Sequence, residues 1–140
     1  MKNKRFNISV LAALLLCMAS CGHSTPSYDA ELCQKLAEQI DRHQQLTQDD
    51  YSAMIGQDIA ILRYLIDKNK AVAASSEAER SAEWNRLVHD PEYLERFGYL
   101  FTIGSALYQA DTDGLLDDAN KKAYSEIGRY NSELARYNRR

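Results

Sequence analysis

Few side chains in this chain are of types that bind metals or act as nucleophiles, and their spacing decides what each can do. The histidines are His23, His43 and His89. Di-metal helical bundles project Glu-x-x-His pairs from their helices, and no such pair occurs. The reversed pair, His89 and Glu92, is interrupted by Asp90 and Pro91, which mark a helix boundary, so the two side chains do not share a face. Asp111, Thr112, Asp113 and Gly114 have the alternating acids of a calcium loop. With Gly114 at the sixth loop position, however, the first and twelfth would be Gln109 and Asn120 instead of Asp and Glu. A solvated turn before a helix is the reading that fits. There is no Cys-x-x-Cys-His haem attachment and no Gly-x-Ser-x-Gly nucleophile turn. These residues therefore point away from an enzyme and from a metal or cofactor site.

The three thiols are Cys17, Cys21 and Cys33. Cys21 follows a positive segment (Lys2, Lys4, Arg5), an apolar run from Ile8 to Leu16 and the small residues Ala19 and Ser20. The apolar run is shorter than the roughly 20 residues a membrane-crossing helix needs. Met18, Ala19, Ser20 and Cys21 together resemble the lipobox of bacterial lipoproteins, with Met18 at a position usually held by Leu that the relaxed pattern of Bacteroidota tolerates. The resemblance implies that residues 1–20 are a removed signal peptide and that Cys21 is the lipidation site. Cys17 follows three leucines with no small residue beside it and is the poorer acceptor. Two or more acyl chains on Cys21 suffice for stable anchoring, and the mature chain then needs no transmembrane helix. Residues 21–27 are polar and contain Pro26, so they read as a tether, which spans at most about 20 Å when extended. Surface export of such lipoproteins is associated with acids after the cysteine. Gly22, His23, Ser24 and Thr25 carry none, which implies a periplasm-facing domain in the cell envelope, anchored to the outer or inner membrane.

Removing residues 1–20 takes away Lys2, Lys4 and Arg5 and no acid, so the formal charge moves from −3 to −6. An acidic, exported body is a poor match for nucleic acid. With Cys17 removed and Cys21 acylated, Cys33 is the one remaining thiol, and no intramolecular disulfide can form. Leu36 lies one turn further on, so Cys33 reads as a small buried apolar residue.

From residue 28 to residue 140 the apolar residues recur at helical spacing, with nothing alternating as a strand would. The expectation is one all-α domain, an antiparallel bundle of four to five helices. The first helix runs from about Tyr28 to Gln45 with Leu32, Leu36 and Ile40 on one face. Thr47 with Asp50 is a capping-box variant opening the second, about Gln48 to Ala74. Its residues Ile55, Ile59, Leu62 and Ile66, widened by Ile61, Tyr64 and Leu65, predict burial by more than one neighbour. Gly56 and Ala60 would let another helix approach. Ser76 and Glu79 predict a second capping box, and a helix from Glu77 to His89 with Ala82, Trp84, Leu87 and Val88 as its apolar residues. Asp90 and Pro91 open the fourth, to Ala110. Its uncharged run from Phe97 to Ala110 is too short to span a bilayer and reads as a buried central helix.

The last helix, about Leu115 to Asn138, carries Leu116, Asn120, Ala123, Ile127, Tyr130, Leu134 and Tyr137 at alternating spacings of four and three, a seam for packing on neighbours. From Lys121 onward six basic residues face two acids. One reading docks this basic end against Glu38, Asp41, Glu79 and Glu83. The other uses Arg136, Arg139 and Arg140, interleaved with Tyr137, on an acidic partner or anionic headgroups. Tyrosine supplies apolar area with a polar tip, and six of the nine lie in the last two helices. Tyr124, Tyr130, Tyr137, Arg136, Arg139 and Arg140 are accordingly the candidate partner-binding set. The function expected is a non-enzymatic protein-binding or accessory lipoprotein. The alternative is a small-ligand or lipid-binding bundle with an apolar pocket between the second and fourth helices, where Gly56, Gly98 and Gly104 leave room.

Overall fold

The computed structural model describes residues 25–138. The expected signal peptide, Cys21, Arg139 and Arg140 lie outside the described residues. Among those described there are six helices and no strand: α1 (Ala30–Asp41), α2 (Gln48–Ala73), α3 (Glu77–Leu87), α4 (Pro91–Thr112), α5 (Asp118–Ser125) and α6 (Ile127–Asn138). Only Glu126 separates α5 from α6, so the two make one interrupted rod, and the molecule is an all-α bundle.

Local chemistry sets most helix ends. Asp29 caps α1 by accepting from the Leu32 N–H at 3.0 Å. At its other end His43 takes a left-handed φ of 52° while its N–H donates to Ile40 O and the Gln44 N–H to Gln39 O. Thr47 and Asp50 close the expected capping box on α2: each satisfies the backbone N–H of the other, at 2.8 and 3.2 Å. The box expected for α3 does not form: the Ser76 hydroxyl donates to the Glu79 carboxylate at 2.7 Å, side chain to side chain, and caps no backbone N–H. Asp90 accepts from the Tyr93 N–H at 2.9 Å ahead of Pro91, as the restart of α4 requires. Thr112 ends α4, two residues later than expected. Gly114, at φ 69°, then lets the Gly114 and Leu115 N–H groups return to Asp111 O and Ala110 O. That double return is the Schellman arrangement, and its left-handed residue favours glycine. The expected single last helix is broken instead. Asp117 caps α5 through the Asn120 N–H at 2.8 Å, which leaves Leu115 and Leu116 in the preceding loop.

Consecutive long helices alternate in direction. Tyr93, opening α4, bonds Asn69 near the end of α2, whereas Asn120 of α5 bonds Gln48 at the start of α2. The α5–α6 rod therefore runs beside α2 in the same direction, reaching Asn69 again at Asn138. Every other helix touches α2, which is the central element. Met54, Ile61, Leu62 and Leu65 of α2 are fully buried, joined by Cys33 and Leu36 of α1, Ile103 and Leu107 of α4, and Ile127 and Leu134 of α6. The seam read in the last helix faces inward throughout: Leu116, Asn120, Ile127 and Leu134 are buried, and Ala123, Tyr130 and Tyr137 pack against the core at its edge. In contrast, α3 contributes no buried residue and is a peripheral strut.

The expected buried central helix at Phe97–Ala110 is corrected. α4 rests on α2 and α1 by one side only. Tyr93, Ile103, Leu107 and Ala110 point inward, while Leu94, Phe97, Phe101 and Tyr108 are exposed. A run without charges is apolar on every face, and the bundle has neighbours for just one.

Candidate functional site

Buried polar side chains of α2 organise the surface. Gln57 holds the start of the domain: its Oε1 accepts from the Asp29 N–H at 2.8 Å and the Cys33 thiol at 3.4 Å, and its Nε2 donates to Ser27 O at 3.1 Å. Pro26, not a second helix, occupies the space opened by Gly56. The chain is thus fastened to α2 from Pro26 onward. Tyr28 continues the fastening, donating to Glu95 at 2.8 Å. The Arg96 guanidinium is sandwiched between the rings of Tyr28 and Tyr64 at 4.2 and 4.0 Å, and it also pairs with Glu92. Burial is the main cause that raises the Tyr28 phenol pKa, followed by Glu95. Burial also pushes the Cys33 thiol up to about 11, with Asp29 and Glu95 adding to it, so this cysteine is an inert core residue.

Of the six large apolar side chains exposed among the described residues, four lie on the outer face of α4. Leu94, Phe97, Phe101, Gly104 and Tyr108 follow one another at spacings of three, four, three and four residues, and Phe101 is 73% exposed. Phe97 stacks on Tyr93, with 6.4 Å between ring centroids, which fixes one end of the stripe. Beside the stripe a shallow groove is lined by Phe97, Leu100, Phe101, Gly104, Ser105, Tyr108 and Gln109.

Where α4 and the α5–α6 rod lean on α2 more than on each other, a cleft of about 220 Å³ remains. Leu100, Gly104 and Tyr108 line it from α4, Tyr124 from α5, Ile127 and Asn131 from α6, and Asp58 from α2. Asp58 is 2% exposed, and its Oδ1 has no hydrogen-bond partner among the described residues. Desolvation pushes this carboxyl up to about 7. Burial, then Asp111, Asp58 and Tyr108, raise the Tyr124 phenol.

Four of the candidate partner-binding residues, Tyr124, Tyr130, Tyr137 and Arg136, are described, and they divide between the core edge and the surface. Tyr124, Tyr130 and Tyr137 have their rings against the core, with Tyr124 also reaching the cleft. Arg136 is exposed beside Ser132 and Ala135. Among the described residues, no basic side chain of the last helix pairs with the acids expected to receive it: Glu38 pairs with Arg42 and Glu83 with Arg86, both within one helix, and Arg129 pairs with Glu126. Of the glycines expected to leave room, Gly104 borders the cleft, Gly98 faces open space and Gly56 is covered by Pro26. Sequence reasoning missed Asp58. Its signal was a charge, beside Gln57, inside a helix otherwise apolar around most of its circumference. Among the described residues no three His, Cys, Asp or Glu side chains gather as a metal site, and no helix is long and apolar enough to cross a membrane. No family model, no curated protein and no solved structure matches the chain.

Proposed function

We propose that the protein is a lipid-anchored, periplasm-facing envelope lipoprotein that acts as a non-enzymatic binding module. Its partner is a protein presenting a basic amphipathic helix, which lies along the outer face of α4. The observation that supports this reading is the exposed stripe Leu94, Phe97, Phe101 and Tyr108. With Gly104 in line between Phe101 and Tyr108, its spacing alternates three and four, that of a seam into which a second helix inserts its own apolar residues. Aromatic side chains gathered on an exposed face are the residues that carry binding energy at protein interfaces. The basic character of the partner follows from charge. The body is acidic, and α4 itself carries Glu92, Glu95 and Asp111 against Arg96, whose guanidinium is already held between two tyrosines.

Anchoring supports the same reading, because a tether fastened to α2 from Pro26 keeps the domain within a few residues of the lipid. Two measurements test it. Cys21→Ser should release a folded, soluble protein from membranes; continued membrane association would refute the anchor. A photo-crosslinking residue at position 101 should join the full chain to one protein partner in the envelope, whereas the same residue at Glu79 on the remote α3 should not. Crosslinks to lipid alone, or equal labelling from both positions, would overturn the docking face. A small-ligand bundle is the second reading, and the cleft over Asp58 is the observation in its favour.

A further inference from the structure

Asp58 has a carboxyl oxygen for which the fold supplies no partner. Taking a carboxylate out of water costs several kcal/mol unless a cation or a set of donors replaces the water. Neither is in place among the described residues: Oδ1 accepts no hydrogen bond, and no lysine or arginine lines the cleft above it. The surroundings look arranged to keep the space open and not to satisfy the acid from within. Gly104 stands across from it, where a Cβ would lie 3.4 Å from Oδ1. A larger residue there would reach into the cleft. Leu100 and Ile127 give apolar walls, and Tyr108 and Tyr124 bring two aromatic rings that can face a cation or cover a methylene chain.

An anionic floor, apolar sides and aromatic rings in a cavity of about 220 Å³ match an alkyl chain ending in a positive charge. We propose that the cleft between α4 and the α5–α6 rod is a binding site for an alkylammonium group, with Asp58 as its counter-ion. The ammonium donates to Oδ1 and its methylenes lie against Leu100, Ile127 and the two tyrosines. The cleft opens beside the groove along α4, with which it shares Leu100, Gly104 and Tyr108. A lysine side chain of a docked helix and a free alkylamine both carry the required chemistry. The inference rests on the cleft alone, so it stands or falls separately from helix docking on α4.

Protonation gives an independent readout. The other titratable groups bordering the cleft are Tyr108 from α4 and Tyr124 from α5, with Asp111 and Lys121 in the depression next to Tyr124; α6 contributes Ile127 and Asn131, which do not titrate. Asp58 is the bordering group whose carboxyl changes charge near neutrality.

The experiment is a calorimetric titration of the full chain, purified in detergent, with n-butylamine and with Nα-acetyl-lysine N-methylamide, at pH 8 and pH 5.5. Saturable binding at pH 8, weaker by at least about tenfold at pH 5.5, is expected, since an acid protonated below its pKa of about 7 loses its hold on a cation. Asp58→Asn, nearly the same shape without the charge, should weaken binding by about tenfold or more. Gly104→Leu, which keeps the acid and fills the cleft, should abolish it. Should Asp58→Asn fail to fold, Gly104→Leu decides alone. Comparable affinity for both probes assigns the site to a lysine side chain; butylamine binding without the lysine amide assigns it to a free amine. No saturable binding of either probe at pH 8, or binding indifferent to both substitutions, overturns the proposal.

Discussion

The Tyr93 hydroxyl donates to Asn69 Oδ1 at 3.0 Å in the interior of the bundle, and this one bond joins the beginning of α4 to the end of α2. Asn69 then donates from Nδ2 to Asn138 at 2.5 Å, bringing in the end of α6. Both Tyr93 and Asn69 are buried, so water cannot replace a partner that is removed. Tyr93→Phe should therefore cost about 1–3 kcal/mol of stability, the range for leaving a buried acceptor unpaired. Replacing both residues, Tyr93→Phe with Asn69→Leu, should cost less than the two single changes added together, because the buried acceptor that Tyr93→Phe orphans and the buried hydroxyl that Asn69→Leu orphans are then both gone. Urea denaturation of the four proteins measures this, and strict additivity would show that the bond contributes nothing.

His43 occupies a left-handed backbone position, φ 52°, at the end of α1, where a side chain is strained and glycine is not. The two N–H returns that close the helix, to Ile40 O and Gln39 O, require that conformation. His43→Gly should keep both bonds and raise stability by about 0.5–1 kcal/mol. A thermal melt in which His43→Gly is less stable than the parent would mean that the imidazole contributes a contact worth more than the strain.

The helix starts at Thr47 and Asp90 were legible because a cap is a contract between residues three apart, and the seam from Leu116 to Tyr137 was legible because periodicity survives a break at Glu126. What could not be read was set by distant neighbours. In the run Phe97–Ala110 the inward set and the outward set are equally apolar, and only the placement of α2 and α1 decides that Ile103 is covered and Phe101 is not. Gln57 and Asp58 look like surface positions by type. They are buried because Pro26 and Ser27 fold over one and Gly104 faces the other. The tyrosines of the last helix were legible as a set with apolar bodies but not as core residues, since a ring at a helix edge serves a core or a partner equally well.

Exposure predicts a clean separation of folding from binding on α4. Phe101 is 73% and Tyr108 66% exposed, so Phe101→Ser and Tyr108→Ser should change folding stability by no more than about 0.5 kcal/mol. Against the partner captured by crosslinking, truncating an aromatic at the centre of an interface costs about 2 kcal/mol or more, roughly a thirtyfold loss in affinity. Ile103→Ser, on the opposite side of the same helix and fully buried, should instead unfold the bundle. Equal destabilisation by Phe101→Ser and Ile103→Ser would refute the one-sided packing of α4.

Asp58 makes stability depend on pH in a direction opposite to that of a paired carboxylate. Its carboxyl titrates near its ordinary 3.8 in the unfolded chain and at about 7 in the folded one, so between those values the folded protein holds the extra proton. Unfolding in that window releases a proton, and stability must fall as pH rises through it. Below pH 3.8 both states are protonated and above about 7 both are charged, so the group's contribution is flat outside the window. The full difference amounts to about 4 kcal/mol across the window. Asp58→Asn cannot ionise, so it should remove this slope and be more stable than the parent at pH 8 while differing little at pH 4. Urea melts at pH 4, 6 and 8 compare the two. A parent whose stability relative to Asp58→Asn stays constant over that range would mean that Asp58 keeps its charge in the fold, held by a donor or by water. An alkylammonium occupying the cleft would have the same consequence at saturating concentration. It would bind the charged form, raise stability at pH 8 in the parent alone, and leave Asp58→Asn unchanged.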